Sequence, residues 1–282
     1  MSDTVPVSDT TPVTPVIAED VRRFAEDPAA WGEIHRETGL RRILTDRYCL
    51  LLGVVPSFTS VSRLRLDPDA VAETIHEVRG HIAAAGHRDA IWWVGSSATP
   101  SDLVDRLRTH GLVPDGRPGS EAHATSLVLD REPHSVEGVE ARRVRDFDEF
   151  MIANRISVDA FGASEEDAAE WEAIAADHWE RDRAGHAPRT YVAYLEGRAV
   201  GVARAIVEPL VPAVLMVGGG VLPSARGRGV YRALVHTRWD DAVGAGIPAL
   251  CTQAGAMSRP ILERLGFEAV AEQEVLLDPA TC

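Results

Sequence analysis

The apolar positions of the chain follow two periods, one of about two residues and one of about 3.6, which is typical of a mixed α/β fold. In the first half, apolar runs predict strands over 48–55, 59–66, 90–94 and 122–129. Helical spacing predicts short helices over 17–27 and 29–39, a longer helix over 67–85, and another over 101–110. Asp67 and Pro68 are the expected N-cap and first residue of the longer helix.

The second half has the same kind of pattern. Strands are predicted over 139–144, 191–195, 199–207, 213–222 and 249–252, with a hairpin turn at Glu196 and Gly197. Helices are predicted over 146–160, over 164–183, from Gly229 onward, and over 258–265. On the helix over 164–183, one face carries Trp171, Ile174, Ala175 and His178, which predicts packing against the sheet.

Corresponding elements of the two halves are separated by a nearly constant distance along the chain. The long helix, the strand after it and the short helix of the first half recur roughly 155 to 160 residues later. This spacing predicts an internal duplication, and the alternative is a chance similarity between two α/β segments.

A turn rich in glycine and arginine joins the strand over 213–222 to the helix that begins at Val230. Gly227 and Gly229 have no Cβ, so an anion can approach the backbone, and the first N–H groups of the helix point toward the turn. Although the chain has a net charge of -14, no acidic residue lies between Glu208 and Asp240. The pattern predicts a polyphosphate site, with a structural turn and solvated arginines as the alternative.

Two common phosphate motifs do not fit this turn. A dinucleotide-binding fingerprint requires a third glycine, and a P-loop requires a lysine, which this chain lacks. The residues Val221, Pro223, Arg226, Gly227 and Gly229 resemble motif A of the GCN5-related N-acetyltransferases (GNAT superfamily). Only Tyr231 departs, because the family usually has Gly or Ala there.

The resemblance implies acetyl-CoA or another acyl-CoA as cosubstrate, with its pyrophosphate held by the loop amides. The cofactor-binding residues that it implies are Gly220, Val221, Leu222, Arg226, Gly227, Arg228, Gly229, Val230, Tyr231 and Arg232. It covers 139–278 and implies two tandem GNAT-like α/β units, each a mixed, mostly antiparallel sheet flanked by helices. The glycines at 218–220 fit the splayed strand pair expected in the C-terminal unit. In the family, helices at the position of 164–183 line the acceptor pocket. This role is the alternative to packing of the 164–183 helix against the sheet.

The expected domains are a disordered tail over 1–16, a degenerate unit over 17–133 and an acyl-CoA-binding unit over 138–282. At the position of the glycine loop the first unit has Asp67, Pro68 and Asp69, whose carboxylates would repel a pyrophosphate. The first unit is therefore expected to complete the acceptor pocket or the fold, without binding CoA.

The resemblance does not supply the usual catalytic pair, because Ala213 and Leu262 occupy the positions of the glutamate base and tyrosine acid that the family commonly uses. Three alternatives remain. In the first, Glu208 accepts the proton of the amine through a water molecule. In the second, Ser258 donates a proton to the leaving thiolate, or the thiolate leaves without an acid. In the third, the site binds CoA without transferring an acyl group. Cys251 has no neighbouring histidine and is expected to be a core cysteine.

The predicted function is N-acyl transfer from CoA to the amine of a small molecule, by direct attack in a ternary complex. Acetylation of a protein and a non-catalytic acyl-CoA sensor or partner-binding module are the alternatives. Net negative charge argues against nucleic acid as a partner and suits a cationic acceptor. Three distant cysteines predict a cytoplasmic protein, and the unclustered histidines predict that no metal is bound. The lack of a long apolar run predicts that no segment spans a membrane. A monomer or homodimer is expected.

Overall fold

The described strands join one mixed, mostly antiparallel sheet with helices on both faces. The structure, a computed structural model, describes residues 17–279 except 35, 57, 118 and 119, so the predicted tail over 1–16 lies outside the described residues. The strands are β1 Arg41–Leu44, β2 Cys49–Leu52, β3 Thr59–Ser62, β4 Ala90–Gly95, β5 Val113–Pro114, β6 His123–Leu129, β7 Val139–Arg143, β8 Arg189–Leu195, β9 Arg198–Ile206, β10 Val214–Val221, β11 Leu250–Ala254 and β12 Glu268–Asp278. The α-helices are α1 Glu19–Glu26, α2 Val71–Ala84, α3 Leu103–Thr109, α4 Phe147–Phe161, α5 Glu165–Ala173, α6 Ala175–Ala184, α7 Val230–Gly244 and α8 Arg259–Arg264.

The strand order shows that the two halves of the chain share one sheet. The order is β1-β2-β3-β4-β12-β6-β11-β10-β9-β8-β7, with β5 paired to β12. The final strand of each half pairs with the other half, since β6 pairs with β11 and β12 pairs with β4. The mixed, mostly antiparallel α/β class predicted from the sequence is therefore confirmed.

Both halves also contain the same crossover. The strands β3 and β4 are parallel, as are β10 and β11, and a long helix joins each pair, α2 in the first half and α7 in the second. The division into units over 17–133 and 138–282 and the degenerate origin of the first unit stay predictions.

Alternating residues of the central strands pack against different helices on the two faces of the sheet. Leu127, Val214 and Leu250 lie in the core beneath α7 and α8, together with Leu234 and Leu262 of those helices. Their chain neighbours Val128, Leu215 and Cys251 lie on the opposite face beneath α1. Burial raises the pKa of the Cys251 thiol, so the predicted core position of this cysteine is confirmed.

Three local predictions were wrong. The helix predicted over 164–183 is broken at Ile174, whose φ and ψ are -107° and 6°. The segment over 29–39 contains only short 3-10 turns at Pro28–Ala30 and Arg36–Thr38, and Asp67 makes no side-chain cap bond. The strands β1, β5 and β12 were not predicted.

The break at Ile174 allows α6 to turn its inner face toward α4 while α5 stays outside. Ala175, His178 and Asp182 of α6 are buried, whereas no residue of α5 is. The His178 ring packs on Phe150 and Trp171, with centroid distances of 5.4 and 5.6 Å. The predicted packing role of this face is confirmed.

Because His178 is buried, its stability contribution should depend on pH. Burial, followed by the charges of Arg204 and Arg181, lowers its pKa to about 4 from an ordinary value of 6.5. Between about pH 6.5 and 4, His178 is therefore protonated in the unfolded chain but neutral in the folded chain. The free energy of unfolding falls as the pH drops through this interval. We expect His178→Leu to remove on the order of 3 kcal/mol of this pH dependence, measured by urea unfolding across that interval. Equal slopes for the two proteins would contradict the assignment.

The C-terminal strand is also fixed to the first half by a buried ion pair. Arg79 of α2 donates to both carboxylate oxygens of Asp278 at 2.9 Å, and the Asp278 side chain is fully buried. We expect Asp278→Ala to lower the free energy of unfolding by about 3 kcal/mol, because it leaves the arginine without its partner. Glu19→Ala, which removes an exposed pair with Arg23, should leave the urea midpoint nearly unchanged. A similar midpoint for all three proteins would refute this account of how β12 is fixed.

Candidate functional site

The turn between β10 and α7 leaves several backbone N–H groups free. A 3-10 turn at Pro223–Ala225 is followed by Gly227 and Gly229, which have φ values of 77° and 86°. A Cβ added to Gly227 would meet nothing within 4 Å, so the turn faces open space at that position. The helix α7 begins at Val230 without a side-chain cap and without an acidic residue in its first turn. This end of the helix is therefore suited to an anion.

Beside this turn, β10 and β11 separate. They pair in parallel at only two positions, Val214 with Leu250 and Leu215 with Cys251, although both strands continue beyond them. On its other edge β10 pairs with β9 and contains a β-bulge between Val217 and Gly220. The predicted splayed strand pair and the predicted irregularity at the glycines are confirmed.

Two glycines of the run are required by close packing on opposite faces of β10. A Cβ on Gly220 would lie 2.9 Å from the Cβ of Ala160 in α4. A Cβ on Gly219 would lie 3.0 Å from Cε2 of Tyr231 in α7. The helix α4 and the Tyr231 ring therefore approach the backbone of β10 from its two sides at the point where the strands diverge.

A cavity of about 1070 Å³ runs along this gap. The predicted binding and catalytic residues that line it are Gly220, Val221, Arg226, Gly227, Gly229, Val230, Tyr231, Arg232 and Ser258. The first half of the chain contributes Ile91, Trp93, Asp115, Ser120, Glu121 and Ala124 to its wall. Residues that are far apart in the sequence therefore form one continuous site.

Three of the predicted residues do not line the cavity. Leu222 packs against the hydrophobic core. The guanidinium of Arg228 forms an ion pair with Glu196 in the β8–β9 turn. The carboxylate of Glu208 accepts a hydrogen bond from the backbone N–H of Leu210 at 3.2 Å. The structure thus directs the Arg228 side chain away from the gap and leaves Glu208 outside it.

Tyr231 is the centre of a small polar cluster in the gap. Burial raises the pKa of its phenol, while the neighbouring Arg238 and the hydroxyl of Ser258 oppose the rise. Arg238 is buried and donates to the carbonyl oxygens of Leu234 and Arg204 at 2.9 and 3.2 Å. The Ser258 side chain does not cap α8. The phenol is therefore protonated at neutral pH and can donate a proton.

Glu121 is a cavity carboxylate that the sequence did not indicate. Its carboxylate accepts hydrogen bonds from the backbone N–H groups of Ala256 and Met257, in the turn that follows β11. The first of these contacts joins residues 135 positions apart in the chain. No local pattern could have revealed it, because it depends on the pairing of β6 with β11.

The comparisons with known proteins agree with this geometry. Residues 152–267 match the model of the Acetyltransferase (GNAT) family. The chain carries a GNAT domain. The GNAT family uses acetyl-CoA as cosubstrate, and the match supports an acyl-CoA-dependent acetyltransferase. No curated protein matches the sequence.

Solved structures share the GNAT fold over most of the chain. A GCN5-related N-acetyltransferase from Kribbella flavida has a TM-score of 0.63 at 20% identity, covering 92% of this chain and 96% of that one. A GCN5-related N-acetyltransferase from Sphaerobacter thermophilus has a TM-score of 0.55 at 16% identity, covering 84% and 81%. A tandem GNAT protein from the clavulanic acid biosynthesis pathway has a TM-score of 0.52 at 15% identity, covering 82% and 78%. At sequence identities of 15 to 20%, these similarities show a shared fold and nothing about substrates.

The GNAT site has the features that an acyl-CoA requires. The open turn at Gly227 admits a pyrophosphate. The carbonyl oxygen of Met216 accepts a hydrogen bond from the Thr252 hydroxyl at 3.0 Å, and beyond it the edge of β10 offers backbone groups to an extended arm that carries amides. Within residues 17–279, apart from the four positions left undescribed, no group of three or more His, Cys, Asp or Glu side chains is arranged to hold a metal. In the same part of the chain no helix is long and apolar enough to cross a membrane.

A carboxylate placed in the turn should weaken CoA binding. We expect Gly227→Asp to raise the dissociation constant for CoA by about 10- to 100-fold, because like charges a few ångströms apart cost about 1 to 3 kcal/mol. Gly185→Asp is the matched control, since Gly185 also has a positive φ of 83° and open space around it but lies at the end of α6, outside the cavity wall. Equal affinities of the two variants in isothermal titration would exclude the turn as the phosphate site.

Proposed function

We propose that the protein transfers an acetyl or other short acyl group from CoA to the amine of a small molecule, by direct attack in a ternary complex. The observation that carries this proposal is that one cavity is lined both by the glycine turn at the start of α7 and by Phe161 of α4, on the opposite face of the sheet. The part of the cavity beside Phe161, Val217 and Trp93 is called the chamber below. One ligand can thus enter from the α7 side and another from the α4 side, and they meet at the bulge of β10.

The chamber is built from both halves of the chain. Its wall includes Val217 of β10 and Phe161 of α4. Trp93 of β4 also lines it, whereas the neighbouring Trp92 lies in the core beneath α2. Since side chains alternate along a strand, Trp93 faces the side of the sheet opposite α2. The first half, although it lacks a glycine turn, would then complete the acceptor site.

On the α7 side, the residues that would hold acyl-CoA are the free amides of the turn and the guanidinium groups of Arg226 and Arg232. The acyl-CoA supplies a thioester carbon that an amine can attack. Arg228 would act through its backbone N–H, because its side chain is engaged with Glu196. Leu222 would support the turn from the core.

Proton transfer is assigned to groups that line the gap. Tyr231, with Ser258 beside it, is the proposed donor to the departing thiolate, since its phenol is neutral and partly buried. Glu121, whose carboxylate lines the same cavity, is the proposed acceptor of the amine proton. Glu208 would need a chain of water molecules to take this role.

The same proposal includes the units over 17–133 and 138–282, with CoA bound only by the second. It includes a cytoplasmic location, where acetyl-CoA is available, and a monomer or homodimer. Two alternatives are acetylation of a protein and binding of CoA without acyl transfer. The following assay distinguishes them from the proposed function.

We expect release of free thiol from acetyl-CoA when a panel of small primary amines is supplied to the protein. Tyr231→Phe should lower kcat by about 100-fold, the usual contribution of a positioned acid, while CoA affinity stays the same. Tyr194→Phe is the control, because that phenol donates to Glu149 and does not line the cavity. Tight CoA binding without acetylation of any amine in the panel would favour a sensor. Acetylation only of a peptide amine would favour a protein substrate.

A further inference from the structure

Arg204 of β9 lies on the chamber side of the sheet. Its neighbours Ala203 and Ala205 pack in the core beneath α7, so Arg204 points toward α4. Its Nη2 donates to Oδ1 of Asn154 at 2.7 Å, and its Nη1 makes only a long contact of 3.4 Å to Oγ of Ser157. Its Nε has no hydrogen-bond partner. The guanidinium therefore has donor capacity that the described protein does not use.

Burial lowers the pKa of Arg204, although the charge of the Asp182 carboxylate opposes this shift. Within the described part of the chain, no carboxylate lies within 4.0 Å of the Arg204 guanidinium, whereas the nearby Arg142 and Arg143 pair with Glu149 and Asp182. The carboxylate of Asp182 is already engaged by Arg143 and by the backbone N–H of Thr190. A cation removed from water without a partner is costly, so a counter-ion from a ligand would stabilise this arrangement.

Arg204 does not itself line the cavity, but its guanidinium lies directly behind the wall at the place where the two substrates would meet. A Cβ added to Gly218 would lie 3.2 Å from Nη1 of Arg204, and Gly218 is an exposed residue of the cavity wall, within the bulge of β10. A group bound to Nη1 would thus lie beside the bulge. An amine a few bonds away from that group would reach the gap between β10 and β11.

We infer that Arg204 binds a carboxylate of the acceptor, and that the acceptor is an amine with a nearby carboxylate, of the α-amino acid class. This rests on the proposed function and names the substrate class of the same site. A guanidinium matches a carboxylate in shape and charge, whereas it repels the protonated form of an amine that has no carboxylate. The indole of Trp93 and the ring of Phe161 in the chamber wall would contact an apolar side chain.

The first test measures binding, which does not require transfer. The protein saturated with CoA is titrated with L-phenylalanine and L-leucine and with the amides of both, which lack the carboxylate charge. We expect each amino acid to bind at least 10-fold more tightly than its amide, the scale of a lost charge-assisted hydrogen bond. Equal or tighter binding of the amides, or no binding of either amino acid, would overturn the inference.

Variants separate recognition of the carboxylate from support of α4. Arg204→Met should weaken amino acid binding by about 10- to 100-fold and leave the amides and CoA unaffected, with partial recovery in Arg204→Lys. Asn154→Ala removes the bond that holds the guanidinium to α4 but keeps the charge. It should retain the preference for amino acids. Loss of binding for amino acids and amides alike in Arg204→Met, with an unchanged melting temperature, would point to a structural role and overturn the inference.

The acetylation assay, run with the twenty L-amino acids and the corresponding amides, keeps the two proposals distinguishable. Binding of amino acids that depends on Arg204, without acetylation of any of them, would refute the proposed transfer and retain the carboxylate site. Acetylation of amides in preference to amino acids would retain the transfer and refute the carboxylate site.

Discussion

The separation of β10 from β11 is the constraint on which the rest of the site depends. Each strand is paired on its other edge, β10 with β9 through a bulged ladder and β11 with β6 through a regular one, so the sheet stays intact around the gap. Backbone groups at such an edge need partners, because buried N–H and C=O groups are rarely left unpaired. An extended ligand arm with amide groups provides these partners, and the turn at Gly227 receives its charged end.

Packing on both faces fixes the shape of this gap. The helix α4 approaches β10 at Gly220, and Tyr231 approaches it at Gly219, so side chains larger than hydrogen at either position would force these groups apart. The same contacts place the phenol of Tyr231 beside Ser258 and Arg238. A residue that departs from the usual sequence of the turn thereby becomes part of the inner wall of the site.

The first half of the chain supports the second through the interleaved strands. Its final strand β6 is the outer partner of β11, and β12 of the second half lies between β4 and β6. This arrangement brings Trp93 and Glu121 to the cavity. The first half thus contributes residues to the cavity wall and a partner strand to β11.

The sequence by itself determined the class of fold, the glycine turn, the bulge in β10 and the helix that follows, because periodicity, glycine and turn chemistry act over a few residues. It did not reveal the break at Ile174, which depends on the packing of α6 against α4, nor the strands β1 and β12, whose partners are distant in the chain. Only the tertiary structure decided that Arg228 pairs with Glu196, that Glu208 lies outside the cavity and that Glu121 lies inside it. These positions follow from strand pairing and side-chain contacts between residues far apart in sequence, and no local pattern encodes them.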